Sequence, residues 1–445
     1  MFFHSLYVYS QVISSEAQLW EKANPNLREA TRCSDEKLLN FHCGIKDKLL
    51  KKYIKYSKNK SHTLSLVHAS KEDEIIWDNA DNNVLLANTS YKRGERSRKI
   101  NQRPSIFTYS GTTDSENGKS DSLKIKFEDQ NLYELIFVPK KSKTMELNKI
   151  HSYLSIKYGI SLEKGKYYGS DGMILWDPEK HKDYIFRPTG LGRDDGNELN
   201  QKQSSNQSDL FLAIGMNGIQ RTNSENRTVF DNNNFVIWSD DNKSMSLRSE
   251  KDMDILERSW EINFIGNDIP KTNYQVRISK EAINPKSAPL SYWLLLKKDN
   301  EEVRKIKGNE NGSYIVFSKV DFIDPFDSEN TTHFSFAVGP LKDIKPENGS
   351  QNPRPIINEK DLSLDLTKIA LYPNPVKKDQ NFTITFPQME SLIISIYDGG
   401  GRLLALDKIS SSARSYMNHL PIQSSYLINL TQNGKIIKTF KLIVE

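Results

Sequence analysis

The sequence predicts a mainly β chain with few helices, organised as a jelly-roll-like sandwich, a second β-rich domain and a compact C-terminal β-unit. Short apolar or alternating runs recur between turns rich in Asn, Ser and Gly, as is typical of packed antiparallel sheets. Few stretches space their apolar residues as an amphipathic helix does. The length of 445 residues gives room for roughly two to four domains.

The composition excludes several classes of protein. Hydrophobic residues make up 36% of the chain and aromatic residues 10%, which is enough to form cores. The excess of 62 Lys and Arg over 57 Asp and Glu is small, so nucleic acid is not expected as a partner. No apolar run approaches the roughly 18 residues of a transmembrane segment. Two cysteines are too few for a disulfide-stapled scaffold or a four-cysteine zinc site.

Residues 1–18 are similar to the second half of a secretory signal peptide. The stretch from Phe2 to Ile13 is largely apolar, but polar residues interrupt it and no Lys or Arg precedes it. A signal peptide normally has a basic start and an apolar centre of about 7–15 residues. We therefore expect a degenerate signal peptide at 1–18; a buried or frayed first segment is the alternative.

Residues 19–60 carry the most helical pattern of the chain. Apolar residues share one face and lysines occupy the rest. The apolar residues are Leu49, Leu50, Tyr53 and Ile54. This pattern predicts a helical lead-in to the jelly-roll-like region at 19–145, with a solvated lysine face. Docking of the basic face on an anionic membrane or on nucleic acid is the alternative.

One further helix interrupts the strand patterns that begin near residue 62. It is predicted at 144–158, where Gly159 ends it as a C-terminal cap. Strands are expected again after this helix, within a second β-rich domain at 146–340. Polar loops are expected at 196–208 and 221–233.

The chain ends in a separate compact β-unit at 366–445. Prolines among polar residues mark the preceding segment, 341–365, as a linker. Within the unit, Asn433-Gly434 predicts a two-residue hairpin turn, because both residues tolerate the positive φ of a type I′ turn.

An ordered set of short motifs runs to the very end of this unit. The motifs are Leu371-Tyr372-Pro373-Asn374-Pro375-Val376, Ile394-Ser395-Ile396-Tyr397-Asp398, Gly401-Arg402-Leu403-Leu404, Leu420-Pro421, Tyr426, Gly434-Lys435 and Lys441-Leu442-Ile443-Val444. In this order and position they resemble the C-terminal sorting domain (type A) of proteins exported by the type IX secretion system.

This resemblance implies a small Ig-like β-sandwich that serves as a sorting signal and is removed after export. It also implies the type IX secretion machinery as a partner, a cleavable signal peptide, and a mature protein that is secreted or attached to the outer-membrane surface. The sorting-signal residues would be Tyr372, Pro373, Asn374, Pro375, Tyr397, Asp398, Gly401, Arg402, Gly434 and Lys435.

The preceding regions carry motifs of surface proteins. In the middle of the chain these are Ser152–Leu162, Ser170–Gly172, Ile174–Asp177, Gly190–Asp195, Leu199–Ser204, Trp238–Asp241 and Arg258–Trp260. Through them, 146–340 resembles an uncharacterised β-rich domain of large bacterial surface proteins. Through Glu74–Trp77 and Glu134–Val138, 19–145 resembles a divergent concanavalin/laminin-G-like jelly roll.

Calcium is the one ion that the sequence suggests, and no other cofactor is predicted. Histidine and cysteine spacings give no zinc motif. Aspartates at strand ends could supply oxygen ligands, although capping of turns is the alternative. These candidates are Asp171, Asp177, Asp194, Asp195, Asp240 and Asp241.

Two further residue sets leave alternatives open. Cys33 and Cys43 either pair in an oxidising compartment or stay as two small buried hydrophobes. Exposed aromatics could stack on sugars, but in a β-sandwich most serve as core. The aromatic candidates are Tyr167, Tyr168, Trp176, Trp238 and Trp293.

Taken together, these features predict a non-enzymatic protein, secreted or on the cell surface, with an adhesion or carbohydrate-binding role. No nucleophile elbow or catalytic cysteine motif is present. Glycans or host and surface proteins are the expected partners, besides the secretion machinery. A secreted hydrolase acting on polysaccharide or protein, and a purely structural spacer, are the alternatives.

Overall fold

The computed structural model divides the chain into two compact units, Met1–Ile344 and Lys345–Glu445. It describes residues 12–23, 33–46, 49–55, 61–70, 74–79, 84–100, 104–112, 120–128, 130–162, 165–250, 253–267, 269–284, 290–298, 301–323, 330–340, 369–387, 389, 392–399, 403–409, 413–432 and 435–445. Strands dominate both units, so the prediction of a mainly β chain with few helices is confirmed. No helix in these ranges is both long and apolar enough to cross a membrane.

The first part of the larger unit is a sandwich of two antiparallel sheets. Its strands are Leu19–Lys22 (β1), Leu38–Leu39 (β2), His42–Cys43 (β3), Leu49–Lys55 (β4), Ser61–His68 (β5), Ile75–Asn79 (β6), Val84–Ala87 (β7), Ser90–Arg93 (β8), Arg96–Lys99 (β9), Ser105–Thr112 (β10), Ser120–Lys126 (β11) and Leu132–Val138 (β12). One sheet has the order β1-β12-β5-β10 and the other β4-β11-β6-β7-β8-β9, while β2 and β3 form a separate hairpin. The two sheets enclose one apolar cluster. The short helix α1, Val12–Glu16, precedes β1 and buries Ile13.

The predicted helical lead-in is wrong, because 49–55 is the strand β4. Leu50 and Ile54 are buried, whereas Leu49 and Tyr53 are 50% and 67% exposed. Residues four apart share a face in a helix and also in a strand, so the buried pair Leu50 and Ile54 fits both structures. Pairing with β11 along the whole length of β4 decides for the strand.

Helix α2, Thr144–Tyr158, is confirmed and lies at the centre of the larger unit. Gly159 ends it at φ 65°, and a Cβ at this position would lie 2.2 Å from the carbonyl oxygen of Ser205. The helix packs into a cluster that includes Val67 and Ile136 of the first sheet and Phe235 of the next. Strands β5 and β12 are consequently buried along their full length, with the sandwich core on one face and α2 on the other.

The second part of the larger unit is dominated by a 13-stranded antiparallel sheet around its own apolar cluster. Its edges approach each other where Thr189 Oγ1 and Ser204 Oγ share a hydrogen bond of 3.2 Å. A short helix, α3, spans Lys280–Ile283, and Asp35–Lys37 and Asp195–Asn197 form 3-10 turns. The strands of this part are Tyr167–Tyr168 (β13), Ile174–Trp176 (β14), Phe186–Asp194 (β15), Leu199–Gln201 (β16), Gln203–Asn206 (β17), Asp209–Met216 (β18), Asn234–Asp240 (β19), Leu247–Glu250 (β20), Met253–Leu256 (β21), Trp260–Ile265 (β22), Tyr274–Ser279 (β23), Leu290–Lys298 (β24), Glu301–Asn311 (β25), Tyr314–Val320 (β26) and Thr331–Pro340 (β27), of which β13 and β14 form a separate hairpin.

The polar loop predicted at 196–208 is wrong, because this segment contains β16 and β17. Gln201, Gln203 and Ser204 are fully buried. Their polar groups are satisfied inside the protein: Gln201 Nε2 donates to the Gln203 carbonyl at 2.7 Å, and Gln203 Nε2 donates to the Gln220 carbonyl at 2.7 Å. Amide side chains can occupy a core when each buried polar atom finds such a partner.

The smaller unit is a sandwich of three-stranded and four-stranded antiparallel sheets around its own apolar cluster. Its strands are Ala370–Tyr372 (β28), Asn381–Thr385 (β29), Leu392–Tyr397 (β30), Leu403–Lys408 (β31), Ser415–His419 (β32), Ser424–Gln432 (β33) and Lys435–Val444 (β34). β33 and β34 pair with Gln432 opposite Lys435, while the predicted turn residues Asn433 and Gly434 lie outside the described residues.

A buried carboxylate joins the first sheet to α2. Glu134, on β12, is fully buried. Trp20 Nε1 and Tyr153 OH donate to Oε1 at 2.5 and 2.7 Å, and Lys157 Nζ and Tyr158 OH donate to Oε2 at 2.6 and 2.7 Å. Burial by itself would raise the pKa of Glu134, but the Lys157 ammonium and these donors lower it, so the carboxylate is ionised at neutral pH.

Replacing this carboxylate should destabilise the larger unit strongly. We expect Glu134→Ala to cost about 3–5 kcal/mol of unfolding free energy, because it leaves the Lys157 ammonium buried without its counter-ion. Urea unfolding followed by tryptophan fluorescence measures this, since all six tryptophans lie in residues 1–344. Glu179→Ala, at a carboxylate that is 79% exposed, is the matched control. Equal stability of the two variants would contradict the role of Glu134.

Candidate functional site

A cavity of about 350 Å³ lies in the larger unit, and we name it the lysine cavity. Several elements contribute side chains to its lining. Lys22 belongs to β1, Lys157 and Tyr158 lie at the end of α2, and Lys202 connects β16 to β17. Its other lining residues are Ala23, Phe41, His42, Cys43, Glu198, Leu199, Asn200, Gln201, Thr222, Asn223 and Ser224. The cavity thus lies where the first sandwich, α2 and the second sheet meet.

The wall on one side is the hairpin at residues 38–43, which we name the Asn40 hairpin. Asn40 is buried, and its Nδ2 donates to the carbonyls of Ile156 and Lys157 at 3.3 and 3.0 Å. It thereby satisfies carbonyls in the last turn of α2, which have no partner within the helix. Asn40 and Phe41 hold φ values of 46° and 67°, a conformation that is unfavourable for a residue with the bulk of Phe41.

The opposite wall is the segment at 222–226, held by side-chain amides. The backbone N–H of Asn223 donates to the Phe41 carbonyl at 2.9 Å, and its Nδ2 donates to the Asn200 carbonyl at 2.8 Å. Asn226 Nδ2 donates to the Gly218 carbonyl at 2.9 Å. The wall therefore has a defined position although it contains no strand.

The cavity is lined by three lysines and one glutamate. Lys22 Nζ lies 2.8 Å from Glu198 Oε2, and Lys157 is paired with Glu134 behind the wall. Lys202 Nζ donates to the Asn226 carbonyl. No carboxylate of the described residues lies within 4.0 Å of Lys202 Nζ, and burial lowers its pKa. Lys202 is thus the cation of this cavity that a negatively charged ligand group would stabilise most.

His42 is neutral at physiological pH. Burial and the nearby Lys157 ammonium lower its pKa to about 4. Its Nε2 lies 2.8 Å from Gln201 Oε1, and its ring packs edge-on against Tyr158 at 5.6 Å between centroids. His42 therefore offers the cavity an uncharged, partly aromatic wall.

A second cavity of about 550 Å³ shares Phe41 with the first. It is lined by Arg221 and Arg277, and the Arg277 guanidinium stacks 4.5 Å from the centre of the Tyr314 ring. Arg221 Nε is paired with Asp35 Oδ1 at 2.6 Å. The tip of the Asn40 hairpin therefore contributes to both cavities.

Two of the six aspartates suggested for calcium cap local turns, and a third accepts a hydrogen bond from a segment distant in sequence. Asp171 Oδ1 accepts from the backbone N–H of Met173 at 2.8 Å, and Asp177 Oδ1 accepts from that of Glu179 at 3.1 Å. Asp194 Oδ2 accepts from the backbone N–H of Ser170 at 2.8 Å. The contacts of Asp171 and Asp177 are those of the turn-capping alternative.

The other three aspartates bind basic or hydroxyl side chains. Asp195 pairs with Arg193 at 2.6 Å, Asp240 with Arg187 at 2.8 Å, and Asp241 with the Ser259 hydroxyl at 2.8 Å. Among the residues that the structure describes, no group of three or more His, Cys, Asp or Glu is arranged to hold a metal. Calcium binding stays a prediction, and at these positions the ion would have to displace the donors named here.

A pair of buried carboxylates lies beside two arginines. Burial and the neighbouring Asp240 raise the pKa of Asp209 to about 7, although Arg187 and Arg258 act in the opposite direction. Arg187 Nε and Arg258 Nη1 lie 3.9 and 3.8 Å from the Asp209 carboxylate. Asp209 lines neither of the two cavities described above.

Glu261 on β22 bridges two histidines, His333 on β27 and His181 in the connection between β14 and β15. Glu261 Oε1 lies 2.5 Å from His181 Nδ1, and Oε2 lies 3.3 Å from His333 Nε2. Asn263 Nδ2 donates to Oε1 at 2.9 Å. Burial by itself would raise the pKa of Glu261, but these hydrogen bonds and the His181 charge lower it to about 2.

The aromatic residues suggested for sugar stacking lie mainly in cores. Tyr167, Trp176 and Trp238 are buried, which fits the core alternative, while Tyr168 and Trp293 are partly exposed. None of these five lines the lysine cavity.

The residues of the sorting motif are spread over the smaller unit. Asn374 Nδ2 donates to the Lys441 carbonyl at 2.7 Å, and its Oδ1 accepts from the backbone N–H of Ile443 at 2.9 Å. The side chain thus fastens the last strand, with cis peptide bonds preceding Pro373 and Pro375. Tyr372 ends β28 and is 51% exposed.

The other motif residues lie at strand ends or outside the described ranges. Tyr397 ends β30, Asp398 follows it, and Lys435 begins β34. Gly401, Arg402 and Gly434 fall outside the described residues. The part that the individual motif residues play in sorting stays a prediction.

Two family models match the chain. Residues 370–445 match the secretion system C-terminal sorting domain, and 146–325 match a domain of unknown function (DUF8202). No curated protein matches. The chain is therefore exported by type IX secretion and is secreted or attached to the outer-membrane surface, with the secretion machinery as its partner.

Solved structures show only remote likeness. A biofilm-associated protein BSP domain is 8% identical at a TM-score of 0.16, covering 96% of this chain and 81% of the other. A cycloisomaltooligosaccharide glucanotransferase of Paenibacillus sp. is 8% identical at 0.15, with 66% and 41% covered. The T6 backbone pilin of Streptococcus pyogenes is 12% identical at 0.13, with 90% and 81% covered. TM-scores this low carry no argument about function.

Sequence reasoning did not identify the residues of the lysine cavity. Lys202 and its amide neighbours belong to the motif Leu199–Ser204, which indicates only a family likeness, and Lys22, Phe41 and His42 lie outside that domain. The one sequence signal available was the unusual density of Asn and Gln at 197–207.

The Glu261 cluster predicts a specific pH dependence. Because an exposed glutamate has a pKa of about 4.3, the lowered pKa stabilises the fold above this pH, and the contribution is lost as the pH falls towards 2. We expect Glu261→Gln to be less stable by on the order of 2 kcal/mol at pH 6, with the difference narrowing below about pH 4. Urea midpoints across this range measure it, with the exposed Glu250→Gln as control. A difference that stays constant with pH would contradict the assignment.

Proposed function

We propose that this chain is a non-enzymatic surface protein that binds an acidic saccharide in the lysine cavity after export. The observation that carries the proposal is the lining of this cavity, in which lysines, amides and hydroxyls surround an aromatic wall. We also infer that 19–145 is a divergent concanavalin/laminin-G-like jelly roll and that the C-terminal sandwich is Ig-like.

The size and chemistry of the lysine cavity suit a short sugar. Its volume is near the lower end of the roughly 300–1,000 Å³ found for small-ligand sites. Asn200, Asn223 and Ser224 supply groups of the kind that bind sugar hydroxyls, and Phe41 and Tyr158 supply aromatic surface of the kind that packs on a ring face. One or two sugar units at the end of a glycan fit this space better than a long polysaccharide does.

The charge of the cavity favours an acidic sugar over a neutral one. Lys22 and Lys157 have carboxylate partners, whereas Lys202 has a carbonyl partner. A carboxylate or sulfate of the ligand would give Lys202 a charge-assisted hydrogen bond in a partly desolvated place. Binding of such a sugar on a host or neighbouring cell would be adhesion.

The specific observation that favours a hydrolase instead is the raised pKa of Asp209. A carboxylic acid with a pKa near 7 is suited to general acid catalysis. However, the pair formed by Asp209 and Asp240 lies against Arg187 and Arg258 and lines neither cavity, so we propose binding without catalysis.

Removing the Lys202 charge should weaken binding of acidic saccharides. We expect Lys202→Gln to lower their affinity about tenfold or more, because charge-assisted hydrogen bonds contribute about 1.5–3 kcal/mol. A glycan array probed with the full chain, followed by calorimetry on the best ligand, measures the effect. Lys243→Gln, at a lysine that is 66% exposed, is the control.

The same array separates the alternatives. Unchanged binding by Lys202→Gln would place the ligand outside the lysine cavity, and shortened saccharides in the reaction would favour the hydrolase. If the protein binds no glycan on the array, the result would favour the structural-spacer alternative. Running the array with calcium and with a chelator tests the calcium prediction, because binding that depends on calcium is lost when the chelator is present.

Export should depend on the smaller unit. We expect deletion of 370–445 to retain the remaining chain inside the outer membrane, because the sorting domain is what the machinery recognises. Fractionation of a type IX-competent host with an antibody to the larger unit measures this. A reporter with its own signal peptide, fused to 345–445, is the complementary control and should reach the surface. Surface display of the truncated chain would contradict the prediction.

A further inference from the structure

We propose that Cys33 and Cys43 form a disulfide in the exported protein, and that this bond fastens the Asn40 hairpin that walls the lysine cavity. The inference concerns a modification of the chain and holds whichever ligand the cavity takes. Three independent observations lead to it.

The first observation is the proximity of the two thiols. They are the only two cysteines in the chain. Cys33 Sγ lies 4.0 Å from the carbonyl oxygen of Lys37, and the next residue, Leu38, pairs with Cys43 across the hairpin. Cys33 is 2% exposed and Cys43 is partly exposed. A chance meeting of two cysteines among 445 residues would be unusual, whereas contact is what a disulfide requires.

The second observation is the compartment. The sorting domain marks the chain as one that is secreted or attached to the outer-membrane surface, so it leaves the cytosol. Disulfides form and persist in the bacterial periplasm and at cell surfaces, whereas cytosolic thiols are kept reduced. Export therefore exposes this pair to oxidation.

The third observation is what the bond would hold in place. Cys43 stands opposite Leu38 at the base of the Asn40 hairpin, whose tip carries the two left-handed residues Asn40 and Phe41. Such residues persist only where surrounding contacts hold them. Arg221 also donates from its guanidinium to the Cys33 carbonyl, so the segment before the hairpin is bound to the connection between β18 and β19.

The chemistry is a thiol–disulfide exchange with a protein disulfide oxidant of the periplasm. Cys33 in its deprotonated form supplies the attacking sulfur, because the thiolate is the nucleophile of thiol chemistry. This thiolate attacks the oxidant and releases one of its sulfurs as a thiolate. Cys43 then loses its proton and attacks Cys33 of the mixed disulfide, releasing the second sulfur. The two cysteines lose two electrons and two protons, and the oxidant gains them as a dithiol. Because Cys33 is buried in the folded chain, the exchange occurs before the hairpin closes.

Thiol labelling of the full chain, recovered from the surface fraction of an exporting host, tests the proposal. The protein is unfolded in guanidinium with N-ethylmaleimide, with and without prior reduction, and its mass is measured. We expect no label without reduction and two labels after it, and peptide mapping should find Cys33 joined to Cys43. Two labels without reduction would overturn the proposal.

A second measurement tests the role in the hairpin. We expect reduction with dithiothreitol to speed proteolysis within 34–46 at least several-fold, whereas the double variant Cys33→Ser, Cys43→Ser should be cut quickly with or without reductant. An unchanged cleavage pattern on reduction would overturn this part. The labelling result needs no saccharide and no variant, so it stands even if the double variant fails to fold or the lysine cavity binds no sugar.

Discussion

The Glu134 carboxylate lies where β1, β12 and α2 meet, and a fully buried charge is tolerated only when donors surround it. Trp20 supplies one donor from β1. The other three donors, Tyr153, Lys157 and Tyr158, come from α2, which must present them on one side. This condition fixes the rotation of α2 about its axis. It also places Lys157 and Tyr158 at the lysine cavity, so the geometry of the candidate site depends on a residue that does not line it.

The larger unit combines apolar cores with a layer of buried polar side chains, which we name the polar seam and which includes Asn40, Gln203 and Asn226. Its sandwich and its second sheet each enclose an apolar cluster, but the strands nearest α2 bury amides and hydroxyls instead. Asn40, Gln203 and Asn226 satisfy backbone groups of neighbouring segments, which fixes loops that apolar packing alone would leave in several arrangements. The lysine cavity opens along this seam, where polar groups are already held in defined positions.

The two units have separate apolar cores, and the sorting domain lies wholly within the smaller one. The apolar cluster of the smaller unit is built wholly from residues between Ile369 and Val444, and the larger unit has its own clusters. A unit with its own core can be recognised and removed without disturbing the rest of the chain. This separation agrees with the sorting domain that matches 370–445.

Features with local signals could be predicted from the sequence: α2 with its Gly159 cap, the mainly β character of the chain, and the sorting domain at its end. The sequence could not determine the lead-in, because Leu50 and Ile54 suit a helix and a strand equally and only pairing with β11 decides between them. Nor could it identify β16, β17 or the lysine cavity. Polar strands look like loops until their hydrogen-bond partners are known, and the cavity joins residues from Lys22 to Ser224 that only the tertiary structure brings together.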